Sequence, residues 1–258
     1  MAQDATTKWT PPEHTGLAKE SAFHRMRRRA PWWLLPLTVV TVLSAFIVYG
    51  IWTAFFGGKV YSAPYLSPFY SPQIWWNGPV TPALWVLPFP LLFRATCYYY
   101  RKAYYRSFFW DPPACAVGEV RKKPYKGETR FPLFLSNLHR YAMYLAVVVL
   151  IFLWIDAIAA FDLNGHFYLG LGTVIMVINC IFLSAYTFGC HSVRHLIGGC
   201  VDCYSKVRGG VKRYEGWKFI TKLNERHAMW AWLSLFSVVA TDVYIRLVMT
   251  GIFTDPHF

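Results

Sequence analysis

Apolar residues in this chain do not alternate with polar ones; they run together. Five stretches, about 32–56, 82–105, 138–160, 167–190 and 227–253, are long and apolar enough to cross roughly 30 Å of hydrocarbon. They predict an all-α integral membrane protein with five transmembrane helices. The second stretch is the most interrupted, since it contains Pro82, Pro88, Pro90 and Arg94. Proline is tolerated in such a helix when neighbours re-satisfy the backbone. A basic run, Arg25, Arg27, Arg28 and Arg29, precedes the first stretch. The apolar segment behind it is too long for a signal-peptide core and no small-residue cleavage site follows, so the first helix is expected to be retained. The chain thus divides into a basic tail, 1–31, and a five-helix transmembrane domain, 32–258.

Composition agrees with the pattern. Across 258 residues, 55% are hydrophobic and 15% charged, which selects the membrane class over one or two soluble domains. The net charge of +13 does not mark nucleic-acid binding, because no helix-turn-helix, zinc-finger or RNA-binding motif accompanies it. The Lys and Arg residues concentrate instead in the tail and in the loops 106–130 and 206–226, while the opposite side has little beyond Lys59. The positive-inside rule therefore puts the N-terminus and both long loops in the cytoplasm of a multi-pass protein of the cell inner (plasma) membrane. The aromatic segment 61–76, the turn 161–166 and the C-terminus face out. Six cysteines beside cytoplasmic loops read as free thiols or metal ligands rather than a disulfide framework.

A weak internal repeat is present. Setting Cys97 on Cys190 also aligns Arg101 with Arg194, and further on Arg140, Ala142, Met143 and Asp156 match Arg226, Ala228, Met229 and Asp242. The halves, about 82–160 and 167–253, predict a four-helix core with a pseudo-two-fold axis along the membrane normal and one N-terminal peripheral helix. Asp242 and Arg246, four apart on the last helix, are expected to pair.

On this topology Cys97, Cys115, His139, Cys190, His191, His195, Cys200, Cys203 and His227 gather near one membrane face, with Arg94, Arg101, Arg140 and Arg194. Ionisable groups at such depth are costly and mark ion, substrate or cofactor sites. Cys180, mid-helix among apolar neighbours, reads as a small hydrophobe. Cys97 and Cys190 end the arriving helices, and His139 and His227 open the departing ones. One Cys and one His from each half can therefore meet on the axis. Two thiolates and two imidazoles are the ligand set of a Rieske-type [2Fe-2S] centre. Cys115 for a thiolate and His191 or His195 for an imidazole compete for the roles, as does the Cys200-x-x-Cys203 pair. A b-type haem on two of the histidines is the rival reading, and an anion transporter or channel a third.

The segments SNLHRYAMY and FGCHSVRHLIGG resemble the membrane anchor, or cytochrome b subunit, of succinate dehydrogenase and fumarate reductase, respiratory complex II. Ser136, His139 and Arg140 match the family's Ser-x-x-His-Arg pattern near its quinone pocket. Arg194 and His195 match its Arg-His pair near the cytoplasmic helix end. The resemblance covers mainly residues 136–200. Where the family carries its haem histidine this chain has Phe188, which cannot ligate iron. With CYYYRKAYYRSFFW, PPACAV and NERHAMW, the chain looks most like the single-subunit, actinobacterial-type anchors.

The resemblance implies a non-catalytic subunit that fixes a flavoprotein carrying FAD and an iron-sulfur subunit to the membrane and passes their electrons to quinone. Ser136, Arg140, Arg194 and His195 are the implied quinone-binding residues. Cys97, Cys190, His139 and His227 are the expected ligands of a cluster standing in for haem. This chain holds no Rossmann glycine fingerprint and no polar domain able to enclose a flavin. Its basic loops suit a docking surface for the soluble subunits or attraction to anionic membrane lipids.

Overall fold

A run of some 20 apolar residues satisfies its own backbone only as a helix, and the structure is built almost entirely of helices. The computed structural model describes residues 31, 33–58, 60–72, 81, 83–108, 129, 133–199, 201 and 203–257. The basic tail and the expected ligand alternatives Cys115 and Cys200 lie outside the described residues. In chain order the elements are α1 (Leu34–Phe55), a hairpin β1 (Tyr61–Ser62) and β2 (Tyr65–Leu66), α2 (Ala83–Val86), α3 (Pro88–Thr96) and α4 (Tyr98–Phe108). A 3₁₀ turn (Leu133–Leu138) leads into α5 (His139–Ala159), and a second hairpin, β3 (Asp162–Leu163) and β4 (His166–Phe167), into α6 (Leu171–Phe188). Then come α7 (His191–Gly198), α8 (Gly210–Glu225) and α9 (His227–Met249).

Four described helical stretches are long and apolar enough to span a membrane: α1, Phe134–Ala159, α6 and α9. The expected fifth, over 82–105, is not one helix. Its apolar part, Ala83–Thr96, is shorter, about 21 Å at 1.5 Å per residue. Pro88 and Pro90 lack the amide donors that would bind the preceding turn. At its end Cys97 leaves the helical region (φ −63°, ψ 129°). The stretch expected over 167–190 also stops early, for Cys190 is extended in nearly the same way (φ −67°, ψ 145°) and α7 starts anew behind it. The two breaks fall at the two positions the repeat aligns. The basic loop over 206–226 is largely the helix α8.

Helix α3 packs on α5, α6 on α9, and α5 on α6, so the two halves of the repeat meet through α5 and α6. Along α5 the buried residues are Ala142, Met143, Ala146, Val149, Leu150, Leu153 and Ala157, a stripe at steps of three and four. Its small members let neighbouring backbones approach. Ile151, Ile155 and Ile158 remain exposed, as a lipid-facing side requires. Interhelical bonds add to the packing: Trp154 Nε1 to Ser184 Oγ (3.0 Å) and Ser237 Oγ to Asn179 Oδ1 (2.8 Å). Cys180 is buried and reaches only the Leu153 carbonyl, in keeping with its reading as filler. Helix α1 buries only Val39, Thr53 and Ala54 and stands at the side of the bundle.

The end of the bundle remote from α4, α7 and α8 is closed by side-chain networks that the apolar pattern does not announce. Asp242 is wholly buried, pairs with Arg246 (2.7 Å) as its spacing predicts, and also accepts from the Tyr49 and Ser67 hydroxyls. Arg246 in turn donates to the Gly57 carbonyl (2.7 Å) and lies over the Trp52 ring. In the second hairpin Asn164 and Gly165 form a two-residue loop with both φ angles positive, the conformation that Asn-Gly accepts at least cost.

Helix α6 begins at Gly170 without a capping side chain of its own. The C-terminal segment supplies one: Asp255 accepts from the Gly172 amide (3.0 Å) and from the hydroxyls of Tyr65 (2.6 Å), Tyr168 (2.9 Å) and Tyr244. A Cβ at Gly170 would collide with that carboxylate, so the residue must be glycine. Burial alone would push the Asp255 carboxyl up, but these donors outweigh it and hold the group below the ordinary carboxylate range. A depressed carboxylate stabilises the fold above its unfolded pKa of roughly 4, and that stability is lost as the pH falls through the folded value. Asp255→Asn should therefore cost on the order of 2 kcal/mol at neutral pH, the size of one charge-assisted hydrogen bond. Thermal unfolding in detergent should show the gap to the parent closing as the pH falls below 4 (roughly the unfolded pKa); a gap that does not change with pH would overturn this account.

Candidate functional site

Each helix break puts a cysteine at the same place relative to its half. Phe93 lies one turn before Cys97, and Tyr186 one turn before Cys190. Phe93 stacks on His139 (centroids 4.9 Å apart), and Tyr186 stacks on His227 (4.9 Å). Each imidazole thus lies on an aromatic ring from its own half, and reaches with its far nitrogen for the sulfur of the other half. His139 Nε2 is 2.8 Å from Cys190 Sγ, and His227 Nε2 is 3.4 Å from Cys97 Sγ. The four residues expected as ligands are brought together as two crossed thiol–imidazole pairs. Among the described residues, no group of three or more His, Cys, Asp or Glu side chains stands close enough to hold a metal ion.

The hydrogen bonds fix one tautomer. The Thr96 hydroxyl donates to the Leu92 carbonyl (2.8 Å), so at His139 Nδ1 (2.9 Å) it accepts the ring proton. That leaves the His139 Nε2 lone pair facing Cys190. The residue equivalent to Thr96 is Gly189, where a Cβ would stand 2.6 Å from the Ala185 carbonyl oxygen and 3.3 Å from Leu223 Cβ. Glycine offers no hydroxyl, and among the described residues the buried His227 Nδ1 has no hydrogen-bond partner. Cys97 and Cys190 are both 2% exposed.

The expected quinone residues are only partly assembled. Arg140 Nη2 lies 2.8 Å from His195 Nδ1, and both side chains are exposed. Arginine can only donate, so His195 Nδ1 accepts and Nε2 carries the proton. Arg194 turns away to α8, where Nε donates to Thr221 Oγ1 (3.1 Å) and the guanidinium covers the Trp217 ring. Ser136 is half-buried in the 3₁₀ turn before α5. Phe188, at the place of the family's haem histidine, is 39% exposed. Cys203 is exposed and set apart from the pairs, its thiol lowered by the Ser205 hydroxyl.

Sequence reasoning put Arg94 near the same membrane face without giving it a role, and did not single out Phe93, Thr96 or Tyr186. Their distances to the cysteines, three, four, one and four residues, repeat or fail to repeat between the halves, and that comparison was the available signal.

Four helical stretches long and apolar enough to span a membrane, with two crossed thiol–imidazole pairs at one end of the bundle, define a multi-pass membrane protein rather than a soluble enzyme. The comparisons make the family specific. The family model for the actinobacterial succinate dehydrogenase subunit SdhC matches residues 34–251. A solved structure titled Mycobacterium smegmatis Sdh1 complex in the apo form contains a chain 44% identical, with a TM-score of 0.79 over 88% of this chain and 92% of that one. No curated protein matches. The chain belongs to the actinobacterial SdhC family, and it is a non-catalytic membrane subunit of succinate dehydrogenase.

Burial sorts the four described cysteines by reactivity. With the protein folded, iodoacetamide near neutral pH should modify Cys203 and leave Cys97, Cys180 and Cys190 unmodified until denaturant is added. Peptide mass spectrometry reads this directly, and rapid labelling of Cys97 or Cys190 would contradict the packing described.

Proposed function

We propose that this subunit carries electrons from the iron-sulfur subunit of succinate dehydrogenase to quinone through a Rieske-type [2Fe-2S] cluster held by Cys97, Cys190, His139 and His227. The observation that carries the reading is the crossing of the two thiol–imidazole pairs. The donor set fits the group in number and kind: two sulfurs, and two ring nitrogens, one of them already presenting its lone pair. His227 Nε2 faces a sulfur in the same way, although among the described residues its Nδ1 lacks the hydrogen-bond partner that Thr96 gives His139. When bound, the cluster would supply a one-electron carrier between two-electron donor and acceptor. A haem b on His139 and His227 gives no role to the two thiols beside them, and neither does an anion channel.

The chain's own residues do the rest. Phe93 and Tyr186 hold the imidazoles in plane and exclude water, and Thr96 keeps the proton of His139 on Nδ1. Arg140, next in the chain to His139, keeps the proton of His195 on Nε2, where it can be donated to a quinone oxygen. Ser136 and Arg194 complete the proposed quinone-binding set, with Arg194 reached by a turn from Trp217. The flavoprotein subunit oxidises succinate on its FAD, and the iron-sulfur subunit relays the electrons. By the positive-inside rule the site end, with Lys206, Arg208, Lys212, Arg213, Lys218 and Lys222 beside it, faces the cytoplasm where those subunits dock.

Electron paramagnetic resonance of the reduced, purified complex tests the cluster. The native complex should give one signal beyond those of the iron-sulfur subunit, and Cys190→Ser should abolish that signal alone. A native complex without it sinks the proposal. For the quinone role, Arg140→Ala and His195→Ala should slow electron delivery to a short-chain quinone at least tenfold relative to delivery to a soluble dye, in line with loss of a positioned proton donor. Equal effects on both acceptors would assign the pair to assembly instead.

A further inference from the structure

Arg94 is a buried cation whose described hydrogen-bond partners are all neutral. It is 8% exposed and stands three residues before Cys97. Its guanidinium donates to the Tyr100 hydroxyl (2.6 Å), the Ala231 carbonyl (3.2 Å) and the Ser234 hydroxyl (2.9 Å). It also lies 4.7 Å from the centre of the Tyr186 ring, the ring that carries His227 on its stack. Arginine keeps its proton in proteins, so the positive charge persists at this depth. Neutral acceptors and a π face lessen the penalty of burying it but leave the charge uncompensated.

The fold does not require this charge. The position equivalent to Arg94 in the second half is Thr187, which is buried just as well. What distinguishes Arg94 is its neighbourhood: guanidinium, Tyr186 ring, His227 imidazole and Cys97 sulfur follow one another in contact. Two metal-held thiolates are the anionic group that this neighbourhood calls for.

We infer that Arg94 is the fixed counter-charge of the four-ligand centre formed by Cys97, Cys190, His139 and His227, a positioning residue that raises the centre's reduction potential. The inference rests on the cluster reading above. Reduction brings one electron from the iron-sulfur subunit, which later passes to quinone, and it makes the centre more negative by one charge. A fixed positive charge in low-dielectric surroundings favours that reduced form over the oxidised one.

The test is a potentiometric titration of the whole purified complex, followed by the cluster's paramagnetic signal, in the native protein and in Arg94→Gln, Arg94→Lys and Ser234→Asp. Ser234→Asp leaves Arg94 and its aromatic neighbours in place while cancelling the charge, so it decides the matter even if Arg94→Gln fails to assemble. At a fixed ambient potential both Arg94→Gln and Ser234→Asp should lower the reduced-to-oxidised ratio at least tenfold, a fall of about 59 mV for a one-electron couple. Arg94→Lys, which keeps the charge, should stay within about threefold, or roughly 28 mV on the same conversion. An unmoved midpoint in Ser234→Asp, with the native signal present, overturns the role of Arg94 alone. A native complex with no such signal overturns the cluster reading and this inference together.

Discussion

A helix interrupted within an apolar bundle exposes backbone groups that hydrocarbon cannot satisfy, and the two interruptions at Cys97 and Cys190 set the terms for everything around them. Each break turns a cysteine from the helix wall toward the opposite half and lets the chain restart as a new helix. The departing helices α5 and α9 then begin beside the breaks, with His139 and His227 in their first turns. Side chains complete the repair: Thr96 bonds back to Leu92, Asn224 reaches the Gly189 carbonyl (2.8 Å), and Arg94 takes the Ala231 carbonyl. The chemistry of the site is thus inseparable from the cost of breaking the helices.

The two halves agree in backbone and differ in side chains, and the differences carry the asymmetry of the site. Phe93 answers Tyr186, Thr96 answers Gly189, and Arg94 answers Thr187. One imidazole is tied at both nitrogens and the other at one. At the far end of the bundle no such duplication is visible: Asp242 binds Arg246, Tyr49 and Ser67, whereas at the repeat-equivalent place one buried Asp156 oxygen has no partner among the described residues. The repeat is therefore tightest around the thiols and loosest where the loops close the bundle.

The spans were legible in the sequence because transfer of apolar surface sums over some 20 residues and no single one decides it. The meeting of Cys97, Cys190, His139 and His227 was legible because the repeat and the topology place all four at the same depth. Which thiol meets which imidazole was not, since crossing between halves depends on interhelical packing that no local pattern records. The break at Cys97 was hidden for a different reason: one residue's ψ angle changes it, and the prolines nearby drew attention to the wrong end of the segment. Helix α8 passed for a loop because its Lys and Arg residues mask the face of Trp217 and Ile220. Asp242 and Arg246 could be paired from spacing alone, but Asp255 acts on a helix that begins 85 residues earlier, at Gly170, where neither capping pattern nor periodicity points to it.

The crossed arrangement also bears on how such a subunit can be divided. Because every imidazole leans on its own half and grasps the sulfur of the other, neither half possesses a complete donor set, yet two identical copies of one half, related by a rotation, would. A chain severed in the hairpin between α5 and α6 would recover the site only when its fragments found each other again. Covalent continuity across that hairpin serves to guarantee unlike partners, which is what allows a single arginine to stand on one side of the axis and not on the other.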